Sequence, residues 1–241
     1  MDERTITRPG LETPAESSAW ALLQDRVSIN LHPIGGPMSI GLYGLAAATL
    51  SLAGLQLGWI SPREGPNVAL TLIGFAFLAQ FLAAVLSFLG RDGAVATAMT
   101  VLALTWLVTG LMLHRSAPGA TSDALGLFLL FTGTAMILAA VTAATSKLVT
   151  AAVFGLAAVR FLVAGGYELS GSQAWERTSG VLGLLLFVVA IYAAFAAGLE
   201  DAMGRTILPL GRRGQGKVAM HGSLLEQVSQ VPNQPGVRTR L

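Results

Sequence analysis

The sequence lacks cysteine and has only three histidines, at positions 32, 114 and 221. Without thiols the chain has no disulfide framework, no thiolate metal site and no cysteine nucleophile. The histidines are too scattered to form a metal cluster without distant carboxylates. We therefore expect neither a metal nor a cofactor.

Charge is also scarce, because only 12% of the residues are Asp, Glu, Lys or Arg. Asp92, Asp123, Glu200 and Asp201 lie at the ends of apolar runs, and no nucleophile stands beside a base within them. An enzyme needs such a pair or converging carboxylates, so an enzyme is not expected. The net charge of +2 comes from basic residues in tails and loops, so we expect no nucleic-acid partner.

Apolar residues are abundant instead, at 53% with a mean hydropathy of +0.65 and 28 glycines. This composition is typical of a polytopic helical membrane protein. Apolar runs of about 20 residues are long enough to cross a bilayer. The sequence predicts an all-α fold with six transmembrane helices at approximately 38–59, 69–89, 94–113, 124–144, 148–166 and 179–199.

These spans define three regions. Residues 37–211 form the predicted transmembrane domain. Residues 1–36 form an N-terminal segment, in which the amphipathic stretch 20–31 suits an interfacial helix. Residues 212–241, rich in Gly, Gln, Ser, Arg and Pro, are expected to be a disordered tail.

The distribution of Lys and Arg predicts the orientation. Eleven lie on the side of the two termini, and three, Arg63, Arg115 and Arg177, lie on the other. Because cytoplasmic loops carry the excess of basic residues, both termini are expected in the cytoplasm and the protein in the plasma membrane.

Arg160 stands out because it falls near the middle of the fifth span, where insertion scales give a cost of about 2.5–3.5 kcal/mol. One interpretation is an anion site on a water-filled pathway. The other is a structural contact with helix carbonyls, a subunit interface or a polar neighbour. No acidic residue lies within any predicted span to neutralise it.

Other polar residues in the spans also leave two interpretations. Gln80 suits either the pathway or a tie between helices. Thr97 and Thr100 share a helix face, and either line the pathway or bond to carbonyls of their own helix. The glycine pairs Gly41 with Gly44 and Gly180 with Gly183 predict close helix packing.

Two motifs resemble those of the acetate uptake transporter family, also called the succinate-acetate permease or YaaH-type family. The first is the stretch 204–211, Gly-Arg-Thr-Ile-Leu-Pro-Leu-Gly, directly after the last span. The second is the stretch 36–42, Gly-Pro-Met-Ser-Ile-Gly-Leu. The residues that agree with the family motifs are Pro37, Gly41, Leu42, Gly204, Arg205, Thr206, Leu208 and Pro209.

The resemblance implies a six-helix protomer with its own central pathway, assembled as a homohexamer in the bilayer. It also implies passage of acetate, related monocarboxylates or succinate, together with protons. The family narrows its pathway with a phenylalanine, a tyrosine and a leucine, and the matching positions here are Leu45, Leu102 and Leu156.

Leu156 and Arg160 are four residues apart and therefore share a helix face. If Leu156 faces the pathway, Arg160 is expected to bind the substrate carboxylate on the extracellular side of the constriction. The sequence predicts a transporter or channel for small carboxylates. The alternative is a non-transporting membrane scaffold or regulatory protein of the same fold.

Overall fold

Six long helices make up the part of the chain that the structure describes, residues 35–214 and 217 of a computed structural model. The predicted interfacial helix at 20–31 lies outside these residues. In chain order the helices are α1 (Met38–Gln56), α2 (Pro62–Leu89), α3 (Gly93–Arg115), α4 (Asp123–Ala144), α5 (Leu148–Ser170) and α6 (Gln173–Met203).

All six helices are long and apolar enough to cross a membrane, which confirms the six predicted spans. The predicted ends are less accurate. Helix α2 begins at Pro62, seven residues before the predicted start at 69, and α6 begins at Gln173 rather than 179. Polar residues can extend a helix beyond its apolar part because its backbone bonds to itself, so apolar runs underestimate helix length.

Helix α2 changes its winding partway along. Its first turn, Pro62–Glu64, is a 3-10 turn, and residues Leu72–Phe77 are π-helical. The chain nevertheless continues as one helical rod to Leu89. Residues 62–68, which precede the predicted second span, are therefore the start of this helix.

Glycines allow close helix packing, as their spacing predicts. A Cβ placed on Gly41 would lie 2.8 Å from Met99 Sδ on α3, and one on Gly183 would lie 3.2 Å from the Thr49 carbonyl oxygen on α1. These distances leave no room for a side chain at either position. Small residues thus bring α1 against α3 and against α6.

The stretch 204–214 folds back to the start of α5. Gly204 ends α6 with a φ of 62°, and the amides of Leu148 and Val149 then donate to the carbonyl oxygens of Gly211 and Leu210. Arg212 forms an ion pair with Glu200, which also accepts a hydrogen bond from Thr206. The predicted boundary at 211 therefore falls inside this contact, whereas residues 218–241 of the predicted tail lie outside the described residues.

Candidate functional site

Two cavities lie at opposite ends of the helix bundle. The Gln56 cavity has a volume of about 110 Å³ and is lined by Gln56, Thr109, Leu125, Glu168, Glu176 and neighbouring residues. The Lys147 cavity has a volume of about 70 Å³ and is lined by Met38, Val95, Ala139, Lys147, Phe154 and neighbouring residues. Both are large enough for water or a small ligand group.

The same faces of four helices line both cavities. Helix α1 lines the Lys147 cavity with Met38 and the Gln56 cavity with Leu52. Positions seven or fourteen apart lie on one helix face, two or four turns along. The same fourteen-residue step joins the cavity-lining residues of α3 (Val95 and Thr109), α4 (Ala139 and Leu125) and α5 (Phe154 and Glu168).

Halfway along each of these faces lies a buried residue. These four residues, the closed layer, are Leu45, Leu102 and Thr132, all 0% exposed, and Phe161, 1% exposed. Each lies seven residues, about 10.5 Å of helix, from the lining residues on either side. The layer separates the two cavities along the bundle axis.

Direct contacts join the helices at the level of the closed layer. The Thr105 and Thr132 hydroxyls lie 3.1 Å apart and connect α3 to α4. The ring centroids of Trp106 and Phe161 lie 5.4 Å apart and connect α3 to α5. These contacts hold α3 against α4 and α5 beside two of the buried residues of the closed layer.

Leu156, the predicted constriction residue of α5, is half-buried and lies five residues before Phe161, about 140° away around the helix. It lies eleven residues before Tyr167, which lines the Gln56 cavity, and therefore within about 20° of that residue's face. Phe161 lies midway between the lining residues Phe154 and Glu168, and the role of Leu156 in a constriction stays a prediction. Leu45 and Leu102, the other two predicted constriction residues, do lie on cavity-lining faces.

Arg160 is buried between three helices, with 1% of its surface exposed. Its side chain passes over α6, because a Cβ placed on Gly183 would lie 3.0 Å from Arg160 Nε and 3.2 Å from the Ala53 Cβ of α1. The guanidinium carbon lies 5.8 Å from the Phe161 ring centroid. Arg160 thus lies beside the closed layer and lines neither cavity.

The remaining predicted pathway residues lie away from the cavities. Gln80 is fully buried, with its Nε2 3.9 Å from Met99 Sδ, at the junction of α2 with α1 and α3. Thr97 and Thr100 each donate at 2.8 Å to a carbonyl four residues earlier. The threonine hydroxyls are therefore satisfied within α3, as one of the two interpretations predicted.

The motif residues serve the helix ends. Pro37 precedes α1, Leu42 is buried, and Thr206 donates to Glu200 at 2.8 Å. The Pro209 carbonyl accepts a 2.9 Å bond from the Tyr192 hydroxyl. Gly204, Arg205 and Leu208 lie in the stretch that follows α6 and folds back against the start of α5.

Several buried polar atoms have no hydrogen-bond partner within the described part of the chain. Five residues of this kind lie in the half of the bundle nearer the Gln56 cavity: Gln56, Trp106, Thr109, Arg160 and Ser179. Gln80 and Ser87 on α2 are the others. Sequence reasoning missed Phe161, Glu168 and Ser179. The recurrence of Lys147, Phe154, Phe161 and Glu168 every seven residues is the signal that could have identified the α5 face.

Within residues 35–214, no group of three or more His, Asp or Glu side chains is placed to hold a metal ion. The six apolar helices define a multi-pass membrane protein with an all-helical described region.

Among solved structures, the chain is similar to "Structure of the bacterial acetate channel SatP", with 26% sequence identity and a TM-score of 0.66. The match covers 74% of this chain and 99% of that one. No protein-family model matches the chain, and no curated protein matches it. This structural likeness supports the resemblance carried by the two motifs.

Proposed function

We propose that this protein is a membrane transporter or channel for acetate and related small carboxylates. The observation that carries the proposal is the likeness to an acetate channel over 99% of that channel's length. The two cavities support it, because they lie on the same faces of α1, α3, α4 and α5 at opposite ends of the bundle. Transport through a bilayer requires access from both sides.

The closed layer is the proposed gate. Its residues Leu45, Leu102 and Phe161 are apolar, and an apolar constriction excludes hydrated ions until it widens. Thr132 adds a hydroxyl that already donates to the Phe128 carbonyl at 3.0 Å. We infer that substrate passes when these side chains move apart.

We further propose that the chain lies in the plasma membrane with both termini in the cytoplasm, so that the Lys147 cavity opens inward. The eleven-to-three distribution of basic residues supports this orientation. We also propose a closed homo-oligomer, in keeping with the hexamer that the family resemblance implies. Exposed apolar side chains such as Phe81, Phe131 and Leu138 are available for lipid or for neighbouring subunits.

A non-transporting scaffold or regulator is the second candidate. The closed layer favours it, since all four of its side chains are buried within the part of the chain that the structure describes. The carboxylates of Glu168 and Glu176 at the Gln56 cavity also favour it, because they repel an approaching anion.

Uptake of radiolabelled acetate into proteoliposomes distinguishes the two candidates. We expect saturable uptake by the purified chain, well above that of protein-free liposomes. A Leu102→Trp variant should assemble in detergent and take up less, because added volume in the layer obstructs the axis; size-exclusion chromatography checks its assembly. Absence of uptake of acetate, propionate, lactate and succinate by assembled wild-type protein would reject the transport proposal.

A further inference from the structure

The side chain of Arg160 is the least compensated charge among the described residues. It is 1% exposed, and neither Nε nor Nη2 has a hydrogen-bond partner within residues 35–214. Burying an unpaired charge is costly, so buried guanidinium groups normally hold an anionic partner. Arg212, which is only partly buried, illustrates the rule through its ion pair with Glu200.

The two unpartnered nitrogens are on one edge of the guanidinium. Nε and Nη2 carry parallel N–H groups, and this edge matches the two oxygens of a carboxylate in a bidentate contact. A spherical halide cannot use both N–H groups in the same geometry. The free edge of Arg160 therefore favours a carboxylate.

Gly183 leaves this edge without a covering side chain. Any Cβ at that position would lie 3.0 Å from Arg160 Nε, so even alanine would crowd the nitrogen. The polar atoms nearest along α6 toward the Gln56 cavity belong to Ser179, one turn from Gly183, and its buried hydroxyl has no partner. Gln56, which lines the cavity, has an equally unpartnered Oε1.

From this geometry we propose that Arg160, beside Gly183 and between α1, α5 and α6, binds one small carboxylate at a site off the bundle axis. Ser179 and Gln56 mark the direction from which the carboxylate enters, from the Gln56 cavity. The site is a resident anion site beside the gate, because it lines neither cavity and touches the Phe161 ring at 5.8 Å. Its occupancy does not require transport through the closed layer.

Thermal unfolding of the purified full-length protein measures this site directly. Sodium acetate is titrated against sodium morpholinoethanesulfonate at constant ionic strength, since the bulky sulfonate does not fit a buried cleft. Wild type should be stabilised saturably, by roughly 5 °C at a hundredfold excess over Kd. Arg160→Met should lose the acetate response, and it should melt at or above the wild-type temperature in sulfonate, because the unpaired charge is gone.

A second variant and a second readout cover the case in which Arg160→Met does not fold. Arg160→Lys keeps the charge without the planar fork, so it should bind acetate about tenfold more weakly. Line broadening of the acetate methyl signal in NMR measures that binding. Gly155→Ala is the control for a substitution on α5 away from the site, because its added Cβ would meet only Ala140 at 3.9 Å. Its acetate response should equal that of wild type.

Two results would overturn the site. One is an acetate response of Arg160→Met or Arg160→Lys equal to that of wild type. The other is a wild type that shows no acetate response while Arg160→Met melts well below it; Arg160 would then tie α5 to α1, for example through the Thr49 carbonyl. Acetate uptake without an Arg160-dependent thermal response to acetate would reject only this site. An Arg160-dependent thermal response without acetate uptake would reject only the transport proposal.

Discussion

The two ends of the helix bundle treat their buried polar groups differently. Near the Lys147 cavity, Glu200 accepts from Arg212 and Thr206, and the backbone of 210–213 pairs with the start of α5. Toward the Gln56 cavity, Arg160, Trp106 and Ser179 hold buried polar atoms without partners. Ser87 is the exception at the first end, because its buried hydroxyl also has no partner among the described residues and its carbonyl accepts from Asp92, which lines the Lys147 cavity. Buried polar groups in proteins are normally satisfied, so the larger number of unpartnered atoms at the second end supports the anion site proposed there.

The largest expected effect comes from filling the contact between α1 and α6 beside Arg160. Gly183→Leu places a large side chain against the Thr49 carbonyl, which cannot move aside, so we expect a loss of about 3 kcal/mol or more of unfolding free energy. Melting temperature in detergent is the measurement. Gly155→Leu, where the nearest side-chain atom is 3.9 Å from an added Cβ, is the control and should change little.

Breaking the ion pair at the other end should come next. Glu200→Gln leaves Arg212 without its counter-charge in a site where both side chains are 11% exposed, so we expect a loss of about 1.5–3 kcal/mol. Trypsin should then cut faster after Arg205, as the stretch 204–214 detaches. The double variant Glu200→Gln/Arg212→Met should lose less than the sum of the single variants. Cleavage of the single variant at the wild-type rate would contradict the structural role of this pair.

A matched pair of hydroxyl deletions tests the difference between the ends most simply. Thr206→Val removes a donor with a partner and should cost about 1 kcal/mol. Ser179→Ala removes a buried hydroxyl that has no hydrogen-bond partner among the described residues. The unfolding free energy of this variant should therefore stay within about 0.5 kcal/mol of wild type or rise. Equal losses at the two positions would show that Ser179 has a structural partner after all.

The smallest effect is expected from Lys147. Burial, with the nearby Arg212, lowers the pKa of Lys147 below its ordinary 10.5. Between the folded pKa and 10.5 the unfolded chain binds more protons, so unfolding free energy should rise with pH in that window. Lys147→Met should flatten this slope in denaturant titrations carried out at alkaline pH below 10.5. Identical slopes in the two proteins would exclude a contribution from Lys147.

The same residues show which features of the fold and the site could be predicted from the sequence. The six spans were predictable because a bilayer demands about 20 apolar residues per helix. Leu45 and Leu102 were accessible from the motifs, and both lie on cavity-lining faces. The rotation of α5 was not accessible, because it is set by packing of Arg160 on Gly183 and of Leu162 on Gly133. Leu156 therefore stays a prediction, and Phe161, about 140° away on the same helix, was not identified from the sequence.

The absence of native cysteine permits a direct test of the central proposal, that carboxylates pass along the axis through the closed layer. Leu52→Cys places one thiol in the Gln56 cavity, where Leu52 is partly exposed, and Leu127→Cys places one on the outer surface of α4, where Leu127 is 63% exposed. Both are modified in detergent with a bulky methanethiosulfonate reagent before reconstitution, so orientation in the liposome does not matter. Acetate uptake should be lost after modification at 52 and retained after modification at 127. Unchanged uptake by the fully modified Leu52→Cys protein would contradict an axial pathway.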